Sequence, residues 1–312
     1  MRFKNTKIIP GIYENFTENE NLEMFEKICK IRYFELNAAE ANINGLMKMP
    51  VYLSLGQESI PAAISMVLKE PLVFAQHRAH GYYIAFGGNL ESLVDELLHR
   101  RTGCAKGMGG SASIHSLEKG MYGHDGLMGS QIPIAVGMAL GINYTNKKVY
   151  DSLGKDINKK RILAVMGDAS AEEDYVIGGA IPWAARHKLP ILFICEDNNL
   201  SILTEVKVRR NWKTSDVARA YGMNAVEMPD NPWLIMDYLK KLKYDLPAFM
   251  NIYTVRAIRH QGGKRDDGKL EWNRFKLTKR ELCKIGLEKK MKEIENETRE
   301  KINKLWESKL KE

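Results

Sequence analysis

The chain has 312 residues, 44% hydrophobic and 28% charged, which is length enough for a buried core and the profile of a soluble globular protein. No run approaches the roughly 18 apolar residues of a membrane helix, and the N-terminus MRFKNTKIIPGIYENF lacks a leader's apolar stretch, so a cytoplasmic protein with no membrane segment is expected. The net charge of +8 is spread along the chain without a nucleic-acid motif, and Cys29, Cys104, Cys195 and Cys283 lie too far apart for a zinc knuckle or redox pair, which argues against nucleic acid and cysteine-bound metal as partners.

Residues 20–48 carry apolar positions at helical spacing. Gly56-Gln57-Glu58 precedes a small-residue helix, SIPAAISMVL, and PLVF is a short strand before the polar cluster QHRAH and a further helix. Residues 90–99 read as a helix. Residues 102–129 are rich in glycine and too long for an ordinary connection, so a functional loop is expected. SQIPIAVGMALGINY is a helix suited to close packing. RILAVMGD and LPILFICEDNN are unbroken apolar runs, as in the centre of a parallel sheet, and AEEDYVIGGAIPWAARHK is the helix between them. Pro182 inside that helix costs about 3 kcal/mol unless the helix bends there or starts later than its pattern suggests. A loop and helix follow, then a strand at Ala225-Val226-Glu227-Met228, a helix in NPWLIMDYLKKLKY and a strand in PAFMNIYTVRAI. Strands and helices alternate, so the expected fold is a doubly wound, mostly parallel α/β sheet over residues 1–268, with a charged helical tail at 269–312.

Two of the apolar runs end at polar groups, one at Gly167-Asp168 and one at Glu196-Asp197-Asn198-Asn199. Ligands of open α/β sheets bind outside the carboxyl ends of the strands, so Asp168 and Asn198 can converge. A carboxylate and an amide oxygen are hard donors, suited to Mg²⁺ or Ca²⁺. Ala169 and Ser170 open a helix whose exposed N–H groups favour a phosphate. The inferred site is a cation clamping a diphosphate. The plainer alternative is that Asp168 caps a helix and Asn198 starts a turn.

The order Gly167-Asp168-Ala169, helix, Leu189-Pro190, strand, Glu196-Asp197-Asn198 resembles the thiamine-diphosphate motif. More of the chain agrees: Ile31-Arg32-Tyr33-Phe34-Glu35, Gly56-Gln57-Glu58, Arg78-Ala79-His80-Gly81, the run from Thr102 through Gly103-Cys104-Ala105-Lys106-Gly107-Met108-Gly109-Gly110 to Ser111, Gly126-Leu127-Met128-Gly129 and Ile132-Pro133. Over roughly residues 25 to 262 the chain resembles the alpha subunit of the first component of 2-oxo acid dehydrogenase complexes, the pyruvate, acetoin and branched-chain group. The resemblance implies thiamine diphosphate and Mg²⁺ as cofactors. It implies Asp168, Asn198 and the Leu200 carbonyl as metal ligands, and Ala169 and Ser170 as backbone contacts to the diphosphate. Arg78 matches a phosphate-binding arginine, and His77 stands where the family has a tyrosine. Gly126 and Met128 match contacts to the aminopyrimidine ring. His260 matches a loop histidine near both the diphosphate and the reacting centre, and His80 a second catalytic histidine.

The same resemblance implies a separate beta subunit that supplies a catalytic glutamate, an α₂β₂ heterotetramer and a small oxo substrate. A lipoyl acyltransferase is the acceptor if the chemistry is that of a 2-oxo acid dehydrogenase. The runner-up is transketolase-like two-carbon transfer or acyloin formation, and a non-catalytic scaffold is the third reading. The chain departs from the family pattern at Ala169 (usually glycine), at Tyr52 (histidine in pyruvate-type members), at Gly179 and Pro182, and around Ser113 and His115. Arg209-Arg210 reads either as a contact to an anionic substrate or partner, or as a solvated basic pair.

Overall fold

The computed structural model describes residues 11–124, 126–144, 160–242, 245–264 and 271–312. Thr17 opens the first helix, α1 (Glu18–Ile43), with a capping box in which Thr17 and Glu20 satisfy each other's backbone N–H groups. The chain continues through α2 (Ser59–Val67), β1 (Leu72–Phe74), α3 (His80–Ala85) and α4 (Leu90–Leu97), which Asn89 caps. Then come β2 (Met121–Tyr122), α5 (Gln131–Tyr144), β3 (Ile162–Gly167), α6 (Ile181–His187) and β4 (Ile191–Asp197). A small hairpin, β5 (Leu200–Ser201) and β6 (Thr204–Glu205), leads into α7 (Val206–Arg209) and α8 (Thr214–Ala220). The last strands are β7 (Asn224–Pro229) and β8 (Ala248–Tyr253), separated by α9 (Pro232–Leu242). Two helices, α10 (Arg274–Lys284) and α11 (Glu288–Lys311), close the chain.

The main sheet has the order β2-β1-β3-β4-β8-β7 and every pairing in it is parallel. Successive side chains of a strand point to opposite faces, and the two cores follow from that. Leu163, Val165, Leu192 and Ile194 join the core on one face, with α1, α2 and α9. Ile162, Ala164, Met166, Ile191 and Phe193 join the core on the other, with α5 and α6. Both faces are covered, which is why the strands read as unbroken apolar runs. The chain leaves β1 towards β2 on one side and returns to β3 on the other, so the order reverses between β1 and β3. Such a switch point opens a crevice at the carboxyl ends of the strands.

The helix expected between β3 and β4 is broken. A 3₁₀ turn (Ser170–Glu172) is followed by a π-helical turn (Tyr175–Ala180), and α6 then starts with Pro182 in its first turn. In a first turn the missing proline N–H removes no helix bond, and the wide π-turn absorbs the change of pitch. The tail is helical, and its apolar stripe is covered. Met291, Ile302 and Trp306 of α11 are buried with residues of α1, and the Trp306 and Phe34 ring centroids are 5.3 Å apart. Arg274 at the start of α10 bonds Asp230 at 2.8 Å, both almost fully buried. The expected division between residues 268 and 269 lies outside the described residues. No helix among the described residues is long and apolar enough to cross a membrane.

Candidate active site

A cavity of about 350 Å³ opens at the carboxyl ends of β1, β3, β4 and β8. Each strand delivers residues to it just past its last hydrogen bond. Gln76, His77 and Arg78 follow β1; Gly167 ends β3, and Asp168, Ala169 and Ser170 follow it. Asn198, Leu200, Ser201 and Ile202 follow β4, while Arg256 and His260 follow β8. Gly126 and Met128 from the glycine-rich loop complete the wall, with Tyr52, Ala112 and His124. Gly167 and Glu196 are register partners, so β3 and β4 end level and bring Asp168 and Asn198 to one wall.

The orientation of Asn198 is set by the Gly56-Gln57-Glu58 turn. Asn198 Nδ2 donates to Gln57 Oε1 at 3.2 Å, and its Oδ1 accepts from Leu200 N at 3.1 Å. Gln57 Nε2 in turn donates to Glu196 Oε2 at 3.2 Å. Glu196 also accepts from Gln76 at 3.3 Å and from the Tyr82 hydroxyl at 2.9 Å. Burial pushes the Glu196 carboxyl up to about 7, against the opposing pull of those donors. Gly56 has φ +96° and a Cβ there would lie 2.1 Å from the Val255 carbonyl oxygen, so only glycine allows this turn to press against the chain leaving β8.

Arg78 donates from Nη1 to the Leu53 carbonyl at 2.9 Å and from Nη2 to the His260 carbonyl at 2.8 Å. The same Nη2 is 3.3 Å from His260 Nδ1. Arginine only donates, so Nδ1 is the acceptor and the neutral His260 ring carries its proton on Nε2. Burial, then the Arg78 and Arg256 charges, hold His260 down to about 4. Burial, then Arg78 and the neighbouring histidines, hold His77 down to about 2. Both rings are neutral at pH 7, held so first by burial and then by the positive charges around them. Tyr52 packs against both, with ring centroids 4.8 Å from His77 and 5.4 Å from His260. Arg256 fixes the hairpin by donating to the Ile202 carbonyl at 2.9 Å.

His80 is placed apart from these residues. It is fully buried at the start of α3 and does not line the cavity. Its Nδ1 is 3.1 Å from Glu35 Oε2 and its Nε2 is 3.0 Å from Ser111 Oγ. Ser111 Oγ also accepts from Tyr52 N at 2.8 Å, so the hydroxyl joins His80 to the Tyr52 backbone. The order of groups is that of a nucleophile relay. However, Ser111 is 2% exposed and Glu35 0%, so no substrate reaches the hydroxyl. The unit instead ties the glycine-rich loop to α1 and fixes Tyr52 in the cavity wall.

The glycine-rich loop is organised by Glu96 of α4. Its carboxylate accepts from the backbone N–H groups of Ala105, Gly107, Gly109 and Gly110 at 2.7 to 2.9 Å. A Cβ at Gly109 would lie 2.1 Å from the Ser113 carbonyl oxygen. Arg209 and Arg210 are not a solvated pair. Arg209 bonds Asp168 and Arg210 bonds Glu172, and their side chains are 12% and 4% exposed.

The sequence places Gln57 in a matching motif without giving it a role, and it does not single out Gln76, Arg256, Glu96 or His124. Gln76 and Arg256 had a usable signal: both stand just past a strand end, like Asp168 and Asn198. Glu96 had none, because on its own helix it is one acidic position among others.

The donor set suits the groups expected from sequence. Asp168, Asn198 and Leu200 offer oxygen donors and no soft ligand, as a small hard cation requires. Two arginines and the 3₁₀ turn at Ser170 suit an anion. The buried His77 Nε2, which has no hydrogen-bond partner, adds a polar atom that a bound group can satisfy. Fold and site together define a doubly wound α/β protein with a polar-lined cavity at its strand ends.

The chain belongs to the family described as the dehydrogenase E1 component, whose model matches residues 30–270. It is 29% identical over 251 residues to the pyruvate dehydrogenase E1 component subunit alpha of Zymomonas mobilis, a match over 80% of this chain and 65% of that one. The subunit of the same name in Rhizobium meliloti is 30% identical over 197 residues, 63% of this chain and 53% of that one. The chain thus spans between about half and two-thirds of the length of these relatives. Among solved structures, Campylobacter jejuni transketolase aligns with 95% of this chain and 49% of its own, with a TM-score of 0.60 and 18% identity, a likeness of fold.

Proposed function

We propose that the chain is the alpha subunit of a thiamine-diphosphate- and Mg²⁺-dependent enzyme that cleaves or forms a bond next to a carbonyl, with the chemistry of the first component of a 2-oxo acid dehydrogenase. The observation that carries this reading is the convergence of Asp168, Asn198, Leu200, Arg78 and His260 on one cavity at the strand ends. Asp168, Asn198 and the Leu200 carbonyl would hold the cation. Ala169 and Ser170, through their backbone, and Arg78 would hold the diphosphate. When bound, thiamine diphosphate supplies a nucleophilic carbon and a sink for the electrons of the broken bond.

The chain's own residues bind and orient. Neutral His260, with its proton on Nε2, is suited to donate a hydrogen bond or proton to an oxygen developing charge. Neutral His77 presents a nitrogen without a partner in the same wall. His80 acts as a positioning residue through Ser111 and Tyr52.

A beta subunit supplying the catalytic glutamate, in an α₂β₂ assembly, belongs to the same reading. Leu127, Met128, Ile202 and Leu203 near the cavity are 42% to 75% exposed, an apolar rim that a partner would cover. The four free cysteines support a reducing, cytoplasmic setting.

Two-carbon transfer is the second reading. Tyr52, His77 and His124 in the wall favour it, because a hydroxyl and imidazoles that hydrogen-bond suit a hydroxylated substrate. The test is calorimetric titration of thiamine diphosphate with Mg²⁺ into the chain co-purified with the product of the adjacent gene. A screen of 2-oxo acids and aldehyde acceptors then separates the two chemistries. Binding that Asp168→Ala abolishes is the expected result. No binding at millimolar cofactor would overturn the enzyme reading in favour of a scaffold.

A further inference from the structure

The carboxylate proposed to hold the cation already has a cation of the chain's own. Arg209, the last residue of α7, bonds Asp168 Oδ2 through Nη2 and reaches Glu172 Oε1 at 3.2 Å. Arg210 takes the same Glu172 oxygen through Nε at 2.7 Å. Two acids and two guanidinium groups therefore balance at the end of β3. The Asp168 side chain is 2% exposed, so the pair sits where water screens little.

Arg209 is poorly seated for a permanent structural role. Its Nε and Nη1 are buried and have no hydrogen-bond partner. Buried polar groups in native proteins are nearly always paired, and arginine brings five N–H donors to satisfy. Arg209 also stays out of the cavity lining, whereas Asp168 is part of it. It approaches the carboxylate from outside the space that a ligand would fill.

The electrostatic consequence is specific. A divalent ion arriving alone at Asp168 meets a carboxylate whose charge Arg209 already matches. Its other donors, Asn198 and the Leu200 carbonyl, are neutral, and Arg78 and Arg256 stand on the same walls. Burial first, and then the charge of Arg78, holds His77 and His260 below the usual histidine range, so that charge is felt at both rings. A diphosphate reverses the balance, because it brings several negative charges and its own oxygen ligands for the ion.

We propose that Arg209 makes cation binding at Asp168 conditional on the diphosphate: the ion enters with the diphosphate and not ahead of it. The proposal rests on Asp168 being a cation ligand and adds a residue that sets the order of loading. A merely structural Arg209, holding Asp168 in place, would have the opposite signature, since its removal would weaken the ion.

The test uses Mn²⁺ as the probe, titrated into the full chain and followed by electron paramagnetic resonance of the free ion, with and without thiamine diphosphate. Arg209→Met is expected to tighten binding of bare Mn²⁺ by about tenfold or more, the ratio that about 1.4 kcal/mol produces. Binding in the presence of the diphosphate is expected to change far less. Arg209→Lys, which keeps the charge, is expected to behave as wild type, and Arg210→Met to give no gain in bare-ion binding. Circular dichroism checks folding, and Arg209→Gln carries the same expectation if the methionine variant does not fold. An unchanged or weakened bare-ion affinity in the neutral variants, or an equal gain in Arg210→Met, overturns the proposal. Asp168→Asn tests the underlying reading separately. If that variant binds Mn²⁺ with diphosphate as tightly as wild type, Asp168 is not a ligand, whatever Arg209 does.

Discussion

Replacing His77 and His260 together by glutamine is expected to remove an acid-sensitive part of the folding free energy. Both rings are held neutral in the native state, His77 at about 2 and His260 at about 4. An unfolded histidine titrates near pH 6.5. At pH 7 neither state is protonated and the rings contribute no pH dependence. Below about 6.5 the unfolded chain binds protons that the native chain does not, so unfolding becomes easier as pH falls towards 4. At pH 5 the unfolded ring is about 1.5 units below its midpoint, which corresponds to about 2 kcal/mol for each histidine. Both rings are partly reached by solvent, and halving the sum for screening leaves about 2 kcal/mol for the pair. Absolute stability is the wrong readout, because burial raises Glu196 and Glu281 to about 7 and those carboxyls act with the opposite sign. The measurement is therefore a difference: urea unfolding of wild type and of the double variant, each at pH 7 and pH 5. Wild type is expected to lose about 2 kcal/mol more than the variant on acidification. Parallel pH profiles would refute the assignment of neutral, positively surrounded histidines.

Gln57→Met keeps the side-chain length but removes the amide that links Glu196 to Asn198. The fold is expected to persist at a cost of about 1–2 kcal/mol, while affinity for Mn²⁺ with thiamine diphosphate falls by about tenfold to a hundredfold, as for other residues that orient a metal ligand; an unchanged titration curve would show that Asn198 needs no such support. Glu96→Gln turns an acceptor of four backbone N–H groups into a group that itself donates. A loss of about 2–4 kcal/mol and new protease cleavage between residues 101 and 124 are expected, and a stable, resistant loop would sink the cradle argument.

The parts of the fold visible in the sequence were those whose cause is local. RILAVMGD and LPILFICED read as strands because a parallel strand covered on both faces has no polar alternation to obscure it. Pro182 signalled a bend for a reason contained in its own ring. The two-residue strands β2, β5 and β6 left no trace, since two residues make no periodic pattern. Much of the site followed from one rule, that strand ends meet: it brought Asp168 and Asn198 together although they are far apart in sequence. What it could not supply was the company those residues keep. Arg209 read as a contact to an anionic substrate or partner or as a solvated charge, because nothing nearby in sequence marks it as a partner of Asp168. His80 matched a motif, yet its burial between Glu35 and Ser111 depends on α1 and the glycine-rich loop, both distant along the chain.

Backbone amides converging on an oxyanion are usually met in loops that take shape around an arriving phosphate. Here the oxyanion is Glu96, tethered to α4 and so present at a fixed, high local concentration from the moment the helix forms. The loop's ordering entropy, of the order of 1 kcal/mol per residue, is charged to folding and not to ligand capture. A ligand at the neighbouring wall therefore meets Ala112 and its loop already in register. The design also separates what is constrained from what is free. Ala105, Gly107, Gly109 and Gly110 offer the amides, while the Met108 side chain between two of them is 86% exposed. That position can drift in evolution without loosening the cradle, whereas deleting one residue would shift the spacing of the amides against the carboxylate.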